Sequence, residues 1–361
     1  MDHVPREERA VSRPKRPTLR DVAALAGVSR TTASYVLNGR ADAMRIAEDT
    51  QARVHRAVAE LGFRPDRVAL SLRTNRTKTI GLISDHVASG EFASRMLTGA
   101  SAASRRLDHL LVIGETEGDP DLERQLIDEM LERKVDGIVY TTLVASRIAV
   151  PDALRDVRTV LLNCFDPESP VPAVIPDEYG GGRAAARVLL DAGTAGDVAV
   201  IGISDNPSAI AGEGRLRGIR DELGTEGREV AARVLCQWEV DDAYQAVAGW
   251  LADGGEATAL VCLNDRIAMG AYEALDERGL TIPGDVSVVS FDGSSLAGWL
   301  RPALTSVALP FDAMGARAVE LLIGPSTHAD GPVKLTMTVQ HGRSVRGARA
   351  EDVAASAAAQ G

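Results

Sequence analysis

Polar side chains gather where apolar runs of this 361-residue chain end. Asn264 and Asp265 follow the run from Thr258, Asp292 follows the run from Val286, and Ser84, Asp85 and His86 close the run from Thr79. Carboxylates accept hydrogen bonds, an amide both accepts and donates, and a guanidinium such as Arg215 donates in a fork, so the set suits a ligand carrying several hydroxyls. Phe165 or Trp299 could stack on a flat ligand face, although core packing would use an aromatic equally well. Asp265 and Asp292 could also work as an acid–base pair. The signatures that accompany catalysis are missing, however: there is no G-x-x-x-x-G-K-[ST] loop, no H-E-x-x-H and no G-x-S-x-G, and Gly180–Gly182 lack a following Lys-Ser/Thr. We assign no catalytic residue, no metal ligand and no cofactor.

The elements that must position these groups alternate between strand and helix. Strands are expected at 79–84, 109–114, 135–141, 159–163, 198–204, 258–264 and 286–291. Helices are expected near 92–107 and at 121–133, 180–191, 215–223, 243–252 and 267–278. Repeated βα units argue for parallel, doubly wound sheets. The run is too long for one open sheet, so two α/β subdomains with a cleft between them are expected, with ligand groups at the strands' carboxyl ends.

The first 79 residues differ in charge and pattern. They hold 16 Lys and Arg against 9 Asp and Glu, while the rest holds 24 against 42. A basic module attached to an acidic body points to nucleic acid for the first and another task for the second. Thr18 and Asp21 resemble a capping box ahead of a helix through Val22, Ala23, Leu25 and Ala26. Gly27 supplies a tight turn, Ser29 can cap a second helix over 30–38, Asn38-Gly39 ends it, and a third helix runs from about Ala47 to Leu61, with Val54, Val58 and Leu61 on one face. That is an all-α helix-turn-helix, whose second helix enters the major groove of double-stranded DNA. Arg30, Thr31 and Thr32 would then face base edges, Tyr35 a base or phosphate one turn later, and Lys15 and Arg16 phosphates. Arg64–Arg73 reads as two helical turns, too short to fold alone in water, so it needs a partner: a second copy or DNA.

The chain resembles the lactose-repressor family of transcriptional regulators through Thr18-Leu-Arg-Asp-Val-Ala-Ala-Leu-Ala-Gly-Val-Ser, Ser34-Tyr-Val-Leu-Asn, Arg64-Pro65, Ser71-Leu-Arg and Thr79-Ile-Gly-Leu-Ile, over roughly residues 18 to 346. The resemblance implies a core like that of periplasmic sugar-binding proteins, crossed three times by the chain, near 172–176, 305–310 and 331–333. It implies a homodimer on a near-palindromic operator, with Thr18, Ser29, Arg30, Thr31, Thr32, Tyr35 and Asn38 contacting DNA. It also implies a hinge helix in which Arg67, Ala69 and Leu72 meet the minor groove, Leu72 as a wedge. Asn264-Asp265, Phe291-Asp292 and Arg215 with Gly218 match the family's effector-site motifs, so Asp85, Phe165, Arg215, Asn264 and Asp292 form the expected effector set, with Asp265 a candidate helix cap. The chain departs from the family at Tyr35, where Arg is common, at a longer loop over 39–45, at Glu178, where Asn is common after Asp177, and at Gly293. The expected effector is a sugar. A nucleoside or purine, or a cleft without a small molecule, is the alternative.

The expected boundaries are a disordered basic arm (1–17), the head (18–62), hinge and linker (63–78), the core (79–346; one subdomain 79–173 with 308–331, the other 174–307 with 332–346) and a disordered Ala-rich tail (347–361). The tail has no leucine heptads to support a tetramer. Three widely spaced cysteines suggest reduced thiols. A charged, Pro-containing N-terminus without an apolar segment, and no membrane-length apolar run, lead us to expect a cytoplasmic protein and argue against a secreted solute-binding protein.

Overall fold

A computed structural model describes residues 17–63, 76–86, 94–194, 196–203, 210–325 and 331–347. The chain divides into two units, 1–77 and 78–361. The expected arm, the hinge residues Arg67, Ala69 and Leu72, and the tail beyond Gly347 lie outside the described residues.

The head contains α1 (Leu19–Ala26), α2 (Arg30–Leu37) and α3 (Glu48–Leu61). Thr18 and Asp21 close a reciprocal capping box at α1, and Gly27 ends it in the left-handed region at φ 65°. The core is made of small and branched groups, Val22, Ala23, Ala26, Ala33, Val36, Ala41, Val54 and Ala57, because three short helices cross too closely for larger ones. Ala41 belongs to it, so the long loop after α2 is pinned into the head.

The larger unit holds two six-stranded sheets. The first uses β1 (Thr79–Ser84), β2 (Leu110–Glu115), β3 (Gly137–Arg147), β4 (Thr159–Phe165), β5 (Ala173–Pro176) and a later strand, β11 (Val333–Leu335), in the order β11-β5-β4-β3-β1-β2. Every pair in it is parallel. The second uses β6 (Val198–Ile203), β7 (Val230–Leu235), β8 (Ala259–Cys262), β9 (Ser287–Asp292), β10 (Thr305–Ala308) and β12 (Thr338–Gln340), in the order β12-β10-β9-β8-β6-β7. Only β12 runs antiparallel. The central strands are apolar on both faces because helices cover both, whereas the edge strands β2 and β7 are partly exposed.

Helices α4 (Ser94–Arg106) and α5 (Pro120–Glu132) flank the first sheet, while α6 (Glu178–Asp191), α7 (Ile210–Gly224), α8 (Val240–Ala252), α9 (Asp265–Glu277) and the short α10 (Ser295–Trp299) belong with the second. Helix α11 (Phe311–Ile323) returns to α4. Glycine permits two of these crossings. A Cβ on Gly99 would stand 1.9 Å from the Asp312 carbonyl oxygen, and one on Gly182 2.1 Å from that of Arg215. The chain passes between sheets at Asp177, at Leu309–Pro310 and at Thr336–Met337. The first and third crossings fall a few residues later than the sequence suggested. Strands β5 and β11, expected in the second subdomain from residues 174 and 332, pair with each other in the first sheet, Val333 opposite Val174. Strands of three or four residues flanked by proline or glycine carry too little periodicity to be told from linkers. The short strands β10 and β12 were missed for the same reason; the six-residue β7 and the 13-residue helix α11 were also not anticipated.

Candidate functional site

In the head, α2 starts at a Ser29 cap whose Oγ accepts from the Thr32 amide at 3.0 Å and lies 2.8 Å from Thr32 Oγ1. Arg30 and Thr31 are exposed on its first turn. Tyr35 is half-buried one turn on, with the Arg40 guanidinium 5.7 Å from its ring centre. Asn38 turns back, donating from Nδ2 to the Ser34 carbonyl at 2.6 Å. Of the expected DNA-contacting side chains, Thr18, Ser29, Thr32 and Asn38 therefore serve the helix ends as well, leaving Arg30, Thr31 and Tyr35 as the outward set.

In the core, the carboxyl ends of the strands meet at the two places where strand order reverses, between β1 and β3 and between β6 and β8. On the second lobe Arg215 is 1% exposed. Its Nε donates to Glu178 Oε2 at 2.6 Å, its Nη2 to Oε1 at 3.2 Å, and its Nη1 to the Leu263 carbonyl. The guanidinium carbon lies 4.5 Å from the Phe291 ring centre and 5.4 Å from that of Trp238. The fork expected to face a ligand is thus held by an internal carboxylate. The sequence reading missed this because Glu178 and Arg215 are 37 residues apart and meet only where α6 crosses α7. A second clamp fixes that crossing: Arg183 and Arg187 each donate from Nε to Glu222, both at 2.7 Å.

Asn264 and Asp265 exchange their expected roles in part. Asn264 is the cap of α9, its Oδ1 accepting from the Ile267 amide at 2.7 Å while Nδ2 donates to the Trp238 carbonyl at 3.2 Å. Asp265, fully buried, is no cap. Its oxygens accept from the hydroxyls of Ser290, Ser294 and Ser306 and from the Ser294 amide. This network ties β9, β10 and the turn after Asp292 together. Asp292 itself sits at φ 107°, a left-handed conformation costly outside glycine. Burial, then the nearby Asp265 charge, push its carboxyl up to about 8, against a smaller pull from Arg215. A Cβ on Gly293 (φ 63°) would come 2.4 Å from that of Ala308, which accounts for glycine there.

On the first lobe, Asp85 accepts from the Leu143 amide at 2.8 Å and from the His86 amide at 2.6 Å, joining the end of β1 to that of β3. Beside it stand three buried polar atoms without a hydrogen-bond partner: Ser84 Oγ, Thr141 Oγ1 and Asn163 Oδ1. Ser84 and Thr141 are opposite each other in register, and Asn163 follows Leu162, the partner of Thr141. Asn163 is held at φ 59° with Nδ2 donating to the Thr142 and Leu143 carbonyls, both at 3.0 Å. Buried polar atoms without partners are costly, and three of them gather at the carboxyl ends of β1, β3 and β4. Neither Asn163 nor Trp238 was singled out in the sequence. A positive-φ asparagine is invisible there, and Trp238 lies in a connection after β7. Phe165 packs between the first lobe's core and a small apolar contact of Ala145, Ile175, Ile210 and Ala211, which together with the Arg147–Glu213 ion pair at 3.1 Å links the lobes. Trp299, 68% exposed at the end of α10, is not in the cluster.

Among the described residues no group of His, Cys, Asp and Glu is arranged to hold a metal ion, and no helix is long and apolar enough to cross a membrane. Cys164 and Cys262 are buried, Cys236 is half-buried, and burial pushes all three thiols upward.

The model for bacterial regulatory proteins of the lacI family matches residues 18–66, and the model for periplasmic binding proteins and the sugar-binding domain of the LacI family matches residues 77–343. The HTH-type transcriptional regulator RegA of Clostridium saccharobutylicum is 32% identical over 310 residues, covering 85% of this chain and 91% of its own. The HTH-type transcriptional repressor PurR of Vibrio campbellii is 31% identical over 310 residues with the same coverage. Among solved structures, the lac repressor dimer bound to operator and the anti-inducer ONPF superposes with a TM-score of 0.73 at 25% identity, over 91% of this chain and 99% of that one. The transcriptional regulator CelR in complex with cellobiose gives 0.63 at 27%, over 91% and 100%. With a helix-turn-helix head and a two-lobed α/β core matched over both parts, the chain belongs to the LacI family and is a DNA-binding transcriptional regulator.

Proposed function

We propose that this chain is a cytoplasmic, homodimeric repressor that reads a near-palindromic operator and whose cleft takes a neutral sugar. The observation that carries the effector class is the Glu178–Arg215 pair. With its guanidinium engaged by an internal carboxylate, the second lobe offers acceptors and aromatic faces to a ligand rather than a free cation. Ser84, Thr141 and Asn163 opposite supply hydroxyl and amide atoms still lacking partners. Such walls, with a self-neutralised ion pair in place of a free cation, favour neutral hydroxyls over phosphates and carboxylates. The cellobiose complex of CelR supports a sugar, whereas PurR's name keeps purines among the compounds to be tested. Within this reading Asp85, Asn163, Arg215, Trp238, Asn264 and Asp292 line or shape the site, and Phe165 sets the contact between lobes. Thr18, Ser29, Arg30, Thr31, Thr32, Tyr35 and Asn38 form the DNA-facing end of the head, with Arg67, Ala69 and Leu72 in the hinge as the family resemblance implies.

We assign the protein no enzymatic activity. Asp265, the partner Asp292 would need for acid–base work, is fully bonded by three serines and an amide. Effector binding works by preferring one relation of the two lobes, and it shifts operator affinity only as far as its affinities for the two states differ. A thermal-shift screen of neutral saccharides, sugar phosphates, nucleosides and purines tests the assignment, since a ligand of the native state raises its melting temperature. A neutral saccharide should be the class that stabilises. Stabilisation by purines or sugar phosphates alone would overturn the sugar reading.

A further inference from the structure

Helix α2 ends in a tightly specified way. Gly39 takes φ 67°, its amide donates to the Val36 carbonyl at 3.2 Å, and the Arg40 amide reaches back to the Tyr35 carbonyl at 2.9 Å. This is the paired-bond helix stop in which the residue after the glycine lies against the side chain five positions earlier. That contact is usually apolar. Here it is a guanidinium over a phenol ring, 5.7 Å from the ring centre.

The loop beyond secures Arg40 from its other side. Ala41 is buried in the head's core, the Met44 amide donates to the Arg40 carbonyl at 3.1 Å, and the Ile46 amide donates to the Ala41 carbonyl at 2.9 Å. Arg40 is therefore exposed at its tip and fixed at its base. It makes no ion pair among the described residues, and its ring contact is with a residue one turn after Thr31 on α2. An arginine placed only for charge would not need a platform. One stacked on an aromatic face surrenders much of its side-chain freedom before any partner arrives and keeps its planar N–H edge outward. A planar fork held beside the exposed face of a reading helix matches the two acceptors, N7 and O6, of a guanine edge in the major groove.

We propose that Tyr35 and Arg40 form one base-reading unit, in which the tyrosine ring carries the Arg40 guanidinium to a guanine of each operator half-site. The proposal rests on α2 being the DNA-reading helix. It extends the reading surface past the end of that helix into the following loop, which the sequence treated only as a connection of unusual length. Lysine is a poorer substitute, because its ammonium can reach guanine N7 and O6 but has no plane to stack on the ring.

The test uses the full-length protein. Its preferred operator is selected from a randomised duplex pool, and affinities are then measured for every single base-pair change in one half-site, with the wild type, Arg40→Met, Arg40→Lys and Tyr35→Leu. The wild type should penalise loss of one G·C pair by about tenfold or more, and Tyr35→Leu, which removes the ring, should weaken the penalty at that same pair. Arg40→Met, which keeps an apolar stem on the ring, should reduce that penalty to about twofold or less, and Arg40→Lys, which keeps a charge without the stack, should reduce it in part, both leaving the penalties at other pairs in place. A uniform loss of affinity across all half-sites with a shallower salt dependence would make Arg40 a phosphate anchor and overturn the proposal. Unchanged penalties in both Arg40 variants would reduce the stack to helix-end packing and overturn it equally. A wild-type protein that enriches no sequence would overturn the DNA-reader assignment itself, an outcome distinct from selection that survives Arg40 substitution.

Discussion

Removing the Glu178 carboxylate should destabilise the core more than most single truncations, because it strands a buried charge. Arg215 is 1% exposed and Glu178 6%. In Glu178→Ala the guanidinium would keep the Leu263 carbonyl and the faces of Phe291 and Trp238, but no anion that bonds it directly. Breaking a buried ion pair from one side costs about 3–5 kcal/mol. Those aromatic faces already hold the guanidinium in the wild type and cancel in the difference, so a loss of about 3 kcal/mol or more is expected. With an m-value near 3 kcal/mol per molar, the urea midpoint should fall by about 1 M. Tryptophan emission follows the transition, since Trp238 stacks on the arginine. The double variant Glu178→Leu/Arg215→Met removes both charges at similar volume and should recover most of the loss, because an apolar pair of matched size is often neutral relative to a buried ion pair. A midpoint drop below about 0.3 M in Glu178→Ala, or a double variant no more stable than the single one, would refute the view that the pair neutralises this lobe.

Asp292 should make stability depend on pH. Its folded carboxyl is pushed up to about 8 by burial and by Asp265, while the unfolded one ionises near 4. Between those values the folded state binds more protons, so stability falls as pH rises through the window, and Asp292→Asn removes that loss. Urea midpoints at pH 5, 7 and 9 should therefore show the variant gaining on the wild type with pH, and a constant offset would count against the assignment. Gly182→Ala places a Cβ 2.1 Å from the Arg215 carbonyl oxygen and must part α6 from α7. A loss of about 1–3 kcal/mol in urea titrations is expected, with an unchanged midpoint as the contrary result.

Most of the architecture could be read from the residues in order. The capping box at Thr18, the left-handed Gly27 and the Ser29 cap define the head locally, since each acts on amides within four positions. Apolar runs separated by amphipathic helices announce a doubly wound core, and the polar groups at Asn264, Asp265 and Asp292 mark strand ends without any structure. What tertiary packing decided is which neighbours those groups acquire. Glu178 occupies the Arg215 fork, Asn264 rather than Asp265 caps α9, Asn163 comes beside Ser84 and Thr141, Trp238 beside Arg215, and Arg40 comes to rest on Tyr35. The short strands likewise find their sheet only in three dimensions, Ala173–Pro176 pairing with β4 and Val333–Leu335 with Ala173–Pro176. Capping and periodicity are local and survive in the one-dimensional order, whereas the partner of a buried charge or of an edge strand is set by helix crossings and sheet register between residues far apart in the chain.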